Sequence, residues 1–402
     1  MNEKTTAEKT KLLVLTSTFP RWADDVEPPF VFELCRRLTE FEVHVIAPHA
    51  PGALDAEIMD GVHVHRFRYA PQRLETLAFD GGITANLKRS PWKYLLLQGF
   101  LLGMFFRALQ VGRQHNIHLI HAHWLIPNGL VAAALKTLLP GDNKLLLTAH
   151  GGDVNGLRGK LFRALRRWVI GEADAVSAVS QPLLDCLQEE LEQQAPLKLL
   201  AMGVDVAGSP NRQASAEAGQ TLVYAGRLGP TKGLPHLLEA MRILVDDFPR
   251  VHLLIAGHGV MEAFLRARCK SLGLDRHVTF LGRYTLHELP DILLRANIAV
   301  LPFADTEDGN SEGLGLATIE AMACGLPVVA GDVAAIHSVI RHRETGLIVE
   351  ASDHSALSQH IADLLENPEK ANRLGTAGRE FALAHFDWSI SSSAYQALLK
   401  SL

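Results

Sequence analysis

Two carboxylates, those of Glu312 and Glu320, are eight positions apart in the sequence. The residues around them predict a helix from about Gly313 to Cys324. At a rise of ~1.5 Å per residue, the two carboxylates would lie ~12 Å apart along the helix axis. Gly313 and Gly315 at the start of this helix would leave backbone N–H groups and the positive end of the helix dipole directed at an anion. The segment therefore offers a carboxylate, a phosphate cradle and a second carboxylate in line, which is the layout that a nucleotide diphosphate sugar requires. A capped helix with two ordinary surface glutamates is the alternative that the spacing alone leaves open.

Two cations, Arg227 and Lys232, lie in the segment Gly226–Gly233, between a predicted strand and a predicted helix. Cations at the carboxyl end of a strand are suited to a diphosphate, because Arg binds phosphate oxygens as a fork and Lys binds them as a point charge. On charge alone, a surface turn with two solvated cations is the alternative.

These two segments resemble one known family. The stretch Asp308–Gly331, which contains Glu312-Gly, Glu320-Ala and Gly325-Leu-Pro-Val-Val, resembles the Glu-x7-Glu signature of the large family of retaining glycosyltransferases with the two-domain GT-B fold, the glycosyl transferases group 1. Segment 226–233 resembles the Gly-Arg-Leu-x3-Lys-Gly motif of the same family. The resemblance implies that a hexose or N-acetylhexosamine moves from a nucleotide diphosphate sugar to an acceptor hydroxyl. It also implies retained anomeric configuration, no metal, and no cofactor besides the donor co-substrate.

The resemblance assigns roles to residues in the second half of the chain. Arg227 and Lys232 would hold the donor phosphates, Glu312 would bind and orient the sugar, and Glu320 would bind the ribose. The turn around Gly257 resembles a fragment of a dinucleotide fingerprint, which is weak evidence by itself. The further residues expected to contact the donor are Gly226, Gly257, Gly282, Arg283, Gly313, Leu314 and Gly315.

The first half of the chain carries a second candidate group at the end of a predicted strand. His150 and Asp153 belong to a His-Gly-x-Asp pattern that resembles the first-domain site of the family. The resemblance implies that His150 acts on the donor sugar or the acceptor region and that Asp153 lies on the acceptor side. His121 and His123 have strand spacing, so they share one face of a strand. Because no Cys or carboxylate partner is close to them in sequence, we expect structural hydrogen bonds there rather than a metal site.

One loop departs from the family pattern. Many relatives have a Gly-Gly pair where this chain has Asp24–Pro29. A loop without glycine does not let a phosphate approach its backbone freely. We therefore expect the first domain to contribute less to phosphate binding, with consequences for the acceptor.

Strands alternate with helices along both halves of the chain, which predicts an α/β fold. The architecture expected is GT-B, with two doubly wound, Rossmann-like parallel sheets whose functional loops face a central cleft. We expect the acceptor-side domain at residues 1–206, a linker rich in small and polar residues at 207–220, and the nucleotide-sugar domain at 221–387. Residues 388–402 are expected to form a helix that crosses back onto the first domain.

The composition is that of a globular protein large enough for two cores. The chain has 402 residues, of which 48% are hydrophobic and 21% are charged. Its four cysteines are scattered singly, which favours a reducing compartment and disfavours a structural zinc site. We see no secretory signal pattern and no apolar run of about 18 residues, so neither a leader nor a transmembrane helix is expected.

The net charge of −5 is unevenly distributed. Residues 81–170 hold 12 basic and 2 acidic side chains, which favours an anionic partner surface. No nucleic-acid module accompanies this charge. Tyr94–Phe106 is nearly all apolar and is flanked by Lys88, Arg89, Lys93 and Arg107; it is expected either in the core or in a membrane interface. A basic stripe follows at Lys160, Arg163 and Arg167.

These features lead to one hypothesis with named alternatives. The hypothesis is a cytoplasmic glycosyltransferase, peripheral on an anionic inner membrane face, with a lipid-linked saccharide acceptor in polysaccharide or glycolipid assembly. The alternatives are transfer to a small soluble acceptor and a non-catalytic nucleotide-sugar-binding protein. A glycosidase is disfavoured because it needs two carboxylates ~5–9.5 Å apart.

Overall fold

The computed structural model describes residues 9–79, 81–190, 196–212, 220–307 and 309–402. Asp308 and residues 213–219, which include much of the predicted linker, lie outside the described residues. Two separate sheets organise the chain, one built from residues 10–199 and the other from residues 221–349. The domain boundaries at 206, 220 and 387 stay a prediction, since the sheets do not fix the last residue of each domain.

The first sheet has eight strands in the order β3-β4-β2-β1-β5-β6-β7-β8. All neighbours are parallel except the β3–β4 pair, which is antiparallel. Its central strands read as continuous apolar runs because helices cover both faces. The strands are β1 Thr10–Leu15, β2 Phe41–Pro48, β3 Ala56–Met59, β4 Val62–Phe67, β5 Leu119–His123, β6 Lys144–Ala149, β7 Ala175–Ala178 and β8 Leu197–Leu199.

The helices of the first half include one of 21 residues, Tyr94–Gln114 (α3). It packs on β2, β4 and the helix that follows β5, and it buries Phe100, Met104 and Ala108. The other helices here are α1 Phe30–Cys35, α2 Ile83–Arg89, α4 Leu130–Leu138, α5 Lys160–Gly171 and α6 Gln181–Glu190.

The second sheet has six parallel strands in the order β11-β10-β9-β12-β13-β14. These are β9 Thr221–Ala225, β10 His252–Ala256, β11 Val278–Gly282, β12 Ile298–Leu301, β13 Val328–Gly331 and β14 Leu347–Val349. The helices are α7 Leu234–Asp247, α8 Glu262–Ser271, α9 Leu289–Leu294, α10 Leu316–Ala323, α11 His354–Glu366, α12 Pro368–Phe386 and α13 Trp388–Lys400.

The last helix, α13, returns to the first half of the chain and packs on α1. The Tyr395 hydroxyl donates to the carbonyl of Leu200 at 3.0 Å, and Lys400 forms an ion pair with Glu40. The structure thus confirms the two Rossmann-like sheets and the crossing-back helix of the predicted fold.

The helix predicted from about Gly313 begins later, at Leu316. Gly315 has φ 88°, a left-handed conformation that cannot continue an α-helix and that suits its position as N-cap. Glu312 therefore precedes the helix, so the predicted start at about Gly313 was wrong and the axial separation of ~12 Å, which assumed one continuous helix, does not follow from it.

The sequence predicts no transmembrane helix, but one helix of the described residues is long and apolar enough to cross a membrane by length and composition alone. The segment Pro91–Gln114, which contains α3, meets that test by length and composition, and 33% of its most apolar window is buried within the protein. A helix that covers a sheet with one face meets the same test, and α3 does so against β2 and β4. The criterion is therefore weak evidence for a membrane span.

The carboxylate of Asp387 links the two segments that run between the first and the second half of the protein. Asp387 accepts hydrogen bonds from the backbone N–H groups of Val206 and Ala207 at 3.2 and 3.0 Å. Its other oxygen caps α13 by accepting from the N–H and the hydroxyl of Ser389 at 2.9 and 2.6 Å. Burial would raise the pKa of this carboxyl, but the hydrogen bonds from Ser389, Ala207 and Val206 hold it below its ordinary value.

We expect Asp387→Ala to lower the free energy of unfolding by about 2 kcal/mol or more, because a helix cap is lost and buried N–H groups lose their acceptor. Urea denaturation measures this change. The control is Asp353→Ala, in which an exposed carboxylate that caps α11 through Ala356 N–H is removed, with an expected cost of about 1 kcal/mol. Equal losses in the two variants would contradict the joining role of Asp387.

Candidate active site

The carboxyl ends of both sheets border one cleft of ≈ 2070 Å³. The cleft is where a doubly wound α/β fold places its ligands, because the loops that follow the parallel strands meet there. Of the site residues predicted from the sequence, all except Gly282 and Arg283 line it. Tyr284, which follows these two, lines the cleft in their place.

An ion pair between Lys232 and Glu312 lies in the centre of the second half of this cleft. Each side chain is 16% exposed, and the Lys232 ammonium also lies 5.0 Å from the centre of the Phe303 ring. Burial would raise the pKa of Glu312, but Lys232 and then Arg227 hold it below its ordinary value, so the carboxylate is ionised. The two residues predicted for the phosphates and the sugar are therefore in direct contact.

The turn that carries Lys232 is pressed against the end of β12. Gly233, with φ 62°, closes this turn, and a Cβ atom at this position would lie 1.6 Å from the carbonyl oxygen of Pro302. No side chain fits at that distance. Glycine at 233 is therefore what lets the Lys232 turn reach the loop that carries Glu312.

The two halves of the protein touch beside Glu312. A Cβ atom on Gly313 would lie 2.1 Å from the carbonyl oxygen of His150, and one on Gly151 would lie 2.8 Å from the Cα of Gly313. The loops after β6 and β12 therefore meet backbone to backbone. Arg227 adds a second contact across the cleft by donating to the Gly81 carbonyl at 3.2 Å.

Glu320 lies on α10, half-buried, with no ion-pair partner among the described residues. Burial raises the pKa of Glu320 to about 7, and the charge of Lys232 acts in the opposite sense. Burial and the neighbouring Glu320 together raise the pKa of Tyr284. The two carboxyl groups therefore differ in pKa. Cations keep Glu312 ionised, whereas the pKa of Glu320 lies close to neutral pH.

In the first half, His150 is enclosed by aromatic rings. Its ring centre is 4.6 Å from that of Trp124 and 5.3 Å from that of Phe30, and its Nε2 is 2.9 Å from Nδ1 of His123. Burial lowers the pKa of His150 to about 3, so its imidazole is neutral at physiological pH. His150 is therefore suited to hydrogen bonding with a sugar hydroxyl rather than to binding a phosphate charge.

His121 and His123 behave as expected for structural residues. Both are fully buried; His121 Nε2 is 2.8 Å from the hydroxyl of Thr148, and His123 binds His150. Within the described part of the chain, they do not belong to a group of side chains positioned to hold a metal ion.

Asp153 lines the cleft and also organises the loop after β6. Its carboxylate is 2% exposed and accepts from the backbone N–H groups of Leu125, His150 and Gly151 at 2.7, 3.1 and 3.0 Å. Because both oxygens accept backbone hydrogen bonds, we interpret Asp153 as the residue that fixes His150, and its place on the acceptor side stays a prediction.

Sequence reasoning missed the aromatic wall of Phe30 and Trp124. Trp124 has φ 69° and ψ 124°, a backbone conformation that bulky side chains seldom adopt and that often marks a functional position. The backbone N–H of Trp124 donates to the backbone carbonyl of Thr148 at 2.8 Å, and its ring lies beside that of His150. The position of Trp124 directly after a strand that carries two histidines was the available signal.

Comparison with known proteins identifies the family. The glycosyl transferases group 1 family matches residues 208–381, and Glycosyltransferase Family 4 matches residues 29–207. The GDP-mannose-dependent monoacylated alpha-(1-6)-phosphatidylinositol monomannoside mannosyltransferase of Corynebacterium glutamicum is 31% identical over 288 residues, which cover 68% of this chain and 74% of that protein. The chain belongs to the glycosyl transferases group 1 family.

Two further proteins that are similar to this chain support its assignment as a glycosyltransferase. The GDP-mannose-dependent alpha-(1-6)-phosphatidylinositol monomannoside mannosyltransferase of Mycobacterium tuberculosis is 29% identical over 333 residues, covering 80% of this chain and 85% of that protein. The structure of a sucrose-phosphate synthase from Thermosynechococcus elongatus superposes with a TM-score of 0.79 at 22% identity, covering 98% of this chain and 99% of that one. That likeness confirms the fold.

The raised pKa of Glu320 predicts a pH-dependent stability of the ligand-free glycosyltransferase. Between the ordinary glutamate pKa and about 7, the folded protein keeps a proton that the unfolded chain releases. Stability should therefore fall as pH rises through this window, by about 3 kcal/mol at most from this group. Urea denaturation from pH 4.5 to 8 measures the trend. In Glu320→Gln this component should vanish, and an unchanged pH dependence would contradict the assignment.

Proposed function

We propose that this protein transfers a sugar from a nucleotide diphosphate sugar to the hydroxyl of a lipid-linked saccharide, with retention of anomeric configuration and without a metal ion. The observation that carries the proposal is the contact between Lys232 and Glu312 directly before the glycines at the start of α10. It brings a cation for the leaving phosphate next to a carboxylate for the sugar.

The positive charge of the site supplies the main catalytic effect in this proposal. A diphosphate leaves while the sugar passes through an oxocarbenium-like state, so negative charge develops on the phosphates. Lys232, Arg227 and the N–H groups before α10 would stabilise that charge in fixed positions. This cation set takes the part that a metal ion has in other transferases, which is why the proposal includes none.

The two glutamates divide the rest of the donor. Glu312, which is ionised and next to Lys232, would accept hydrogen bonds from sugar hydroxyls. Glu320 lies eight residues further along, on α10, and would accept from the ribose hydroxyls. The leaving diphosphate can itself accept the proton of the acceptor hydroxyl, so the mechanism requires no separate base. In a glycosidase, two carboxylates flank the same glycosidic bond, whereas Glu312 here forms an ion pair with Lys232.

The acceptor side is proposed from the first half of the chain. Phe30 and Trp124 provide an apolar wall beside His150, of the kind that stacks on a sugar ring. The relatives from C. glutamicum and M. tuberculosis are named for phosphatidylinositol mannoside acceptors. We extend to this chain a lipid-linked saccharide of the same general class.

An exposed apolar stripe on α3 supports attachment to a membrane surface. Leu95, Leu102 and Phe106 are 79%, 56% and 62% exposed, and their spacing places them on one helix face. Tyr94 at the same helix end lines the cleft. The stripe, which we define as Leu95, Leu102 and Phe106, is therefore an exposed apolar face of α3 that begins next to a residue of the cleft. A patch of this kind marks an interaction surface.

Not all the cations that flank this stripe in the sequence are exposed around it in the structure. Lys88 and Arg89 are exposed and line the cleft. Lys93 is buried instead, with its ammonium donating to the Thr76 carbonyl at 2.8 Å and to Asn86 Oδ1 at 3.0 Å. On α5, Arg163 lies 3.9 Å from the carboxylate of Glu190, which offsets part of the basic stripe predicted there, whereas Arg167 donates to the backbone carbonyl of Glu190 at 2.9 Å and keeps its charge.

We expect Lys232→Ala to lower turnover roughly thirty- to a thousand-fold, because a charge-assisted contact to the leaving phosphate is worth ~2–4 kcal/mol. The assay measures nucleotide release from a panel of UDP-, GDP- and ADP-sugars that includes GDP-mannose, with the product anomer assigned by NMR. Lys270→Ala, at an exposed position on α8, is the control. Wild-type turnover in folded Lys232→Ala would remove the phosphate assignment, and an inverted product would remove retention.

We expect the wild-type protein to float with vesicles that contain anionic lipid at low salt and to dissociate at high salt, because each cation near the surface contributes roughly 1 kcal/mol that salt screens. Leu102→Glu/Phe106→Glu should abolish flotation. The matched control is Phe264→Glu/Leu383→Glu, at two exposed apolar positions in the second half of the chain. If the wild type stays in the soluble fraction at low salt, or both double variants behave alike, the stripe is not a membrane surface.

A further inference from the structure

A cluster of histidines lies outside the cleft, between the first sheet and the end of α3. His44 is on β2, His65 is on β4, and His115 follows the last residue of α3. One ring nitrogen from each lies within 4.8 Å of the other two. None of the three lines the active-site cleft.

The register of the sheet explains why they meet. His44 is opposite His63 in the parallel β2–β4 pair, and His65 is two residues further along β4. Since side chains alternate between the faces of a strand, His44, His63 and His65 share one face. That face is the one that α3 covers, so the C-terminal end of the helix brings His115 to them.

Hydrogen bonding prepares His44 as a metal ligand. Its Nε2 is 2.9 Å from Oε1 of Glu42, two residues before it on the same face. Because a carboxylate accepts and does not donate, Nε2 carries the proton and Nδ1 keeps its lone pair. Nδ1 is directed at Nε2 of His65, 3.1 Å away. Metal-binding histidines commonly have this pattern, in which a carboxylate holds one ring nitrogen and orients the other.

The distances match a small coordination sphere. Zinc binds imidazole nitrogen at ~2.0–2.1 Å, which places tetrahedral ligand atoms roughly 3.4 Å from one another. The nitrogens of His44 and His65 are already this close. His115 is half-buried at the end of a helix, so an adjustment of about 1.5 Å by this side chain completes the set. His63 stacks on His44 at 4.8 Å and 16°, which restricts the His44 ring.

Two neighbouring charges act on the cluster in opposite directions. Glu42 favours a bound cation, whereas Arg107 on α3 is close enough to His65 to act against added positive charge there. Arg107 is half-buried, and its guanidinium donates to Oε1 of Gln110 on the same helix at 3.1 Å. Its removal should strengthen metal binding, which provides a test in the direction of gain.

We propose that His44, His65 and His115 form a binding site for a divalent transition-metal ion of the zinc type, with a fourth position open to solvent. Three neutral imidazoles suit zinc, nickel and copper rather than magnesium or calcium. The site joins β2, β4 and α3, and these elements come together only in the folded chain. Bound metal should therefore stabilise the first half of the protein, and this role is independent of sugar transfer.

The test is titration of untagged, metal-free protein with Co2+ and then Zn2+. We expect one equivalent of Co2+ to give the intense visible absorption of a tetrahedral site, Zn2+ to displace it, and saturating Zn2+ to raise Tm. His65→Gln and His115→Gln should each lose the spectrum while they keep the wild-type fold and metal-free transferase activity. Glu42→Gln should raise the Kd about 10- to 100-fold, and Arg107→Gln should lower it.

His354→Gln is the matched control, since His354 forms a close pair with His236 at 3.0 Å on the other half of the protein. It should leave the Co2+ spectrum and the stoichiometry unchanged. The proposal is overturned if the wild type shows no saturable binding, if His65→Gln and His115→Gln bind Co2+ as the wild type does, or if His354→Gln removes the spectrum.

Discussion

The half-buried ion pair of Lys232 and Glu312 is the interaction on which the site depends. Each partner would be costly to leave alone in that position, because a desolvated charge needs an opposite charge nearby. The pair therefore locks the turn after β9 to the loop before α10, and Gly233 makes that approach possible. In the reaction we propose, the diphosphate would meet a cation already placed and oriented by the protein, so little reorganisation would be required at the moment of reaction.

The sequence was sufficient for the fold and for much of the cleft because both follow from local rules. Alternating strands and helices predict a parallel sheet, and the ends of parallel strands predict where loops such as Gly226–Gly233 meet. The late start of α10 was not predicted, since only the backbone conformation of Gly315 decides it. The pairing of Phe30 with Trp124 and the burial of Lys93 depend on contacts between distant segments, which residue spacing does not encode.

Helix α3 is apolar on both its buried and its exposed side. One face covers the first sheet with Phe100 and Met104, and the opposite face presents Leu102 and Phe106 to solvent. A helix that is apolar all round is typical of a core or of a membrane, whereas in α3 one side is buried in the core and the other side is exposed. Hydropathy alone therefore does not distinguish the buried side of α3 from its exposed side, whereas the exposure of the individual side chains does.

The carboxylate of Asp387 also bears on how the halves of the protein can move. It helps to fasten the two segments that connect them, with Val206 and Ala207 on one side and Ser389 on the other, next to backbone hydrogen bonds that join Val204 to Phe386 and Trp388. Because the two connecting segments are held together here, we expect the halves to rotate about a point near Asp387. Displacement in such a rotation grows with distance from that point. A rotation that opens the cleft would break the hydrogen bond that Arg158 of the first half donates to the Gly309 carbonyl of the second half at 2.8 Å.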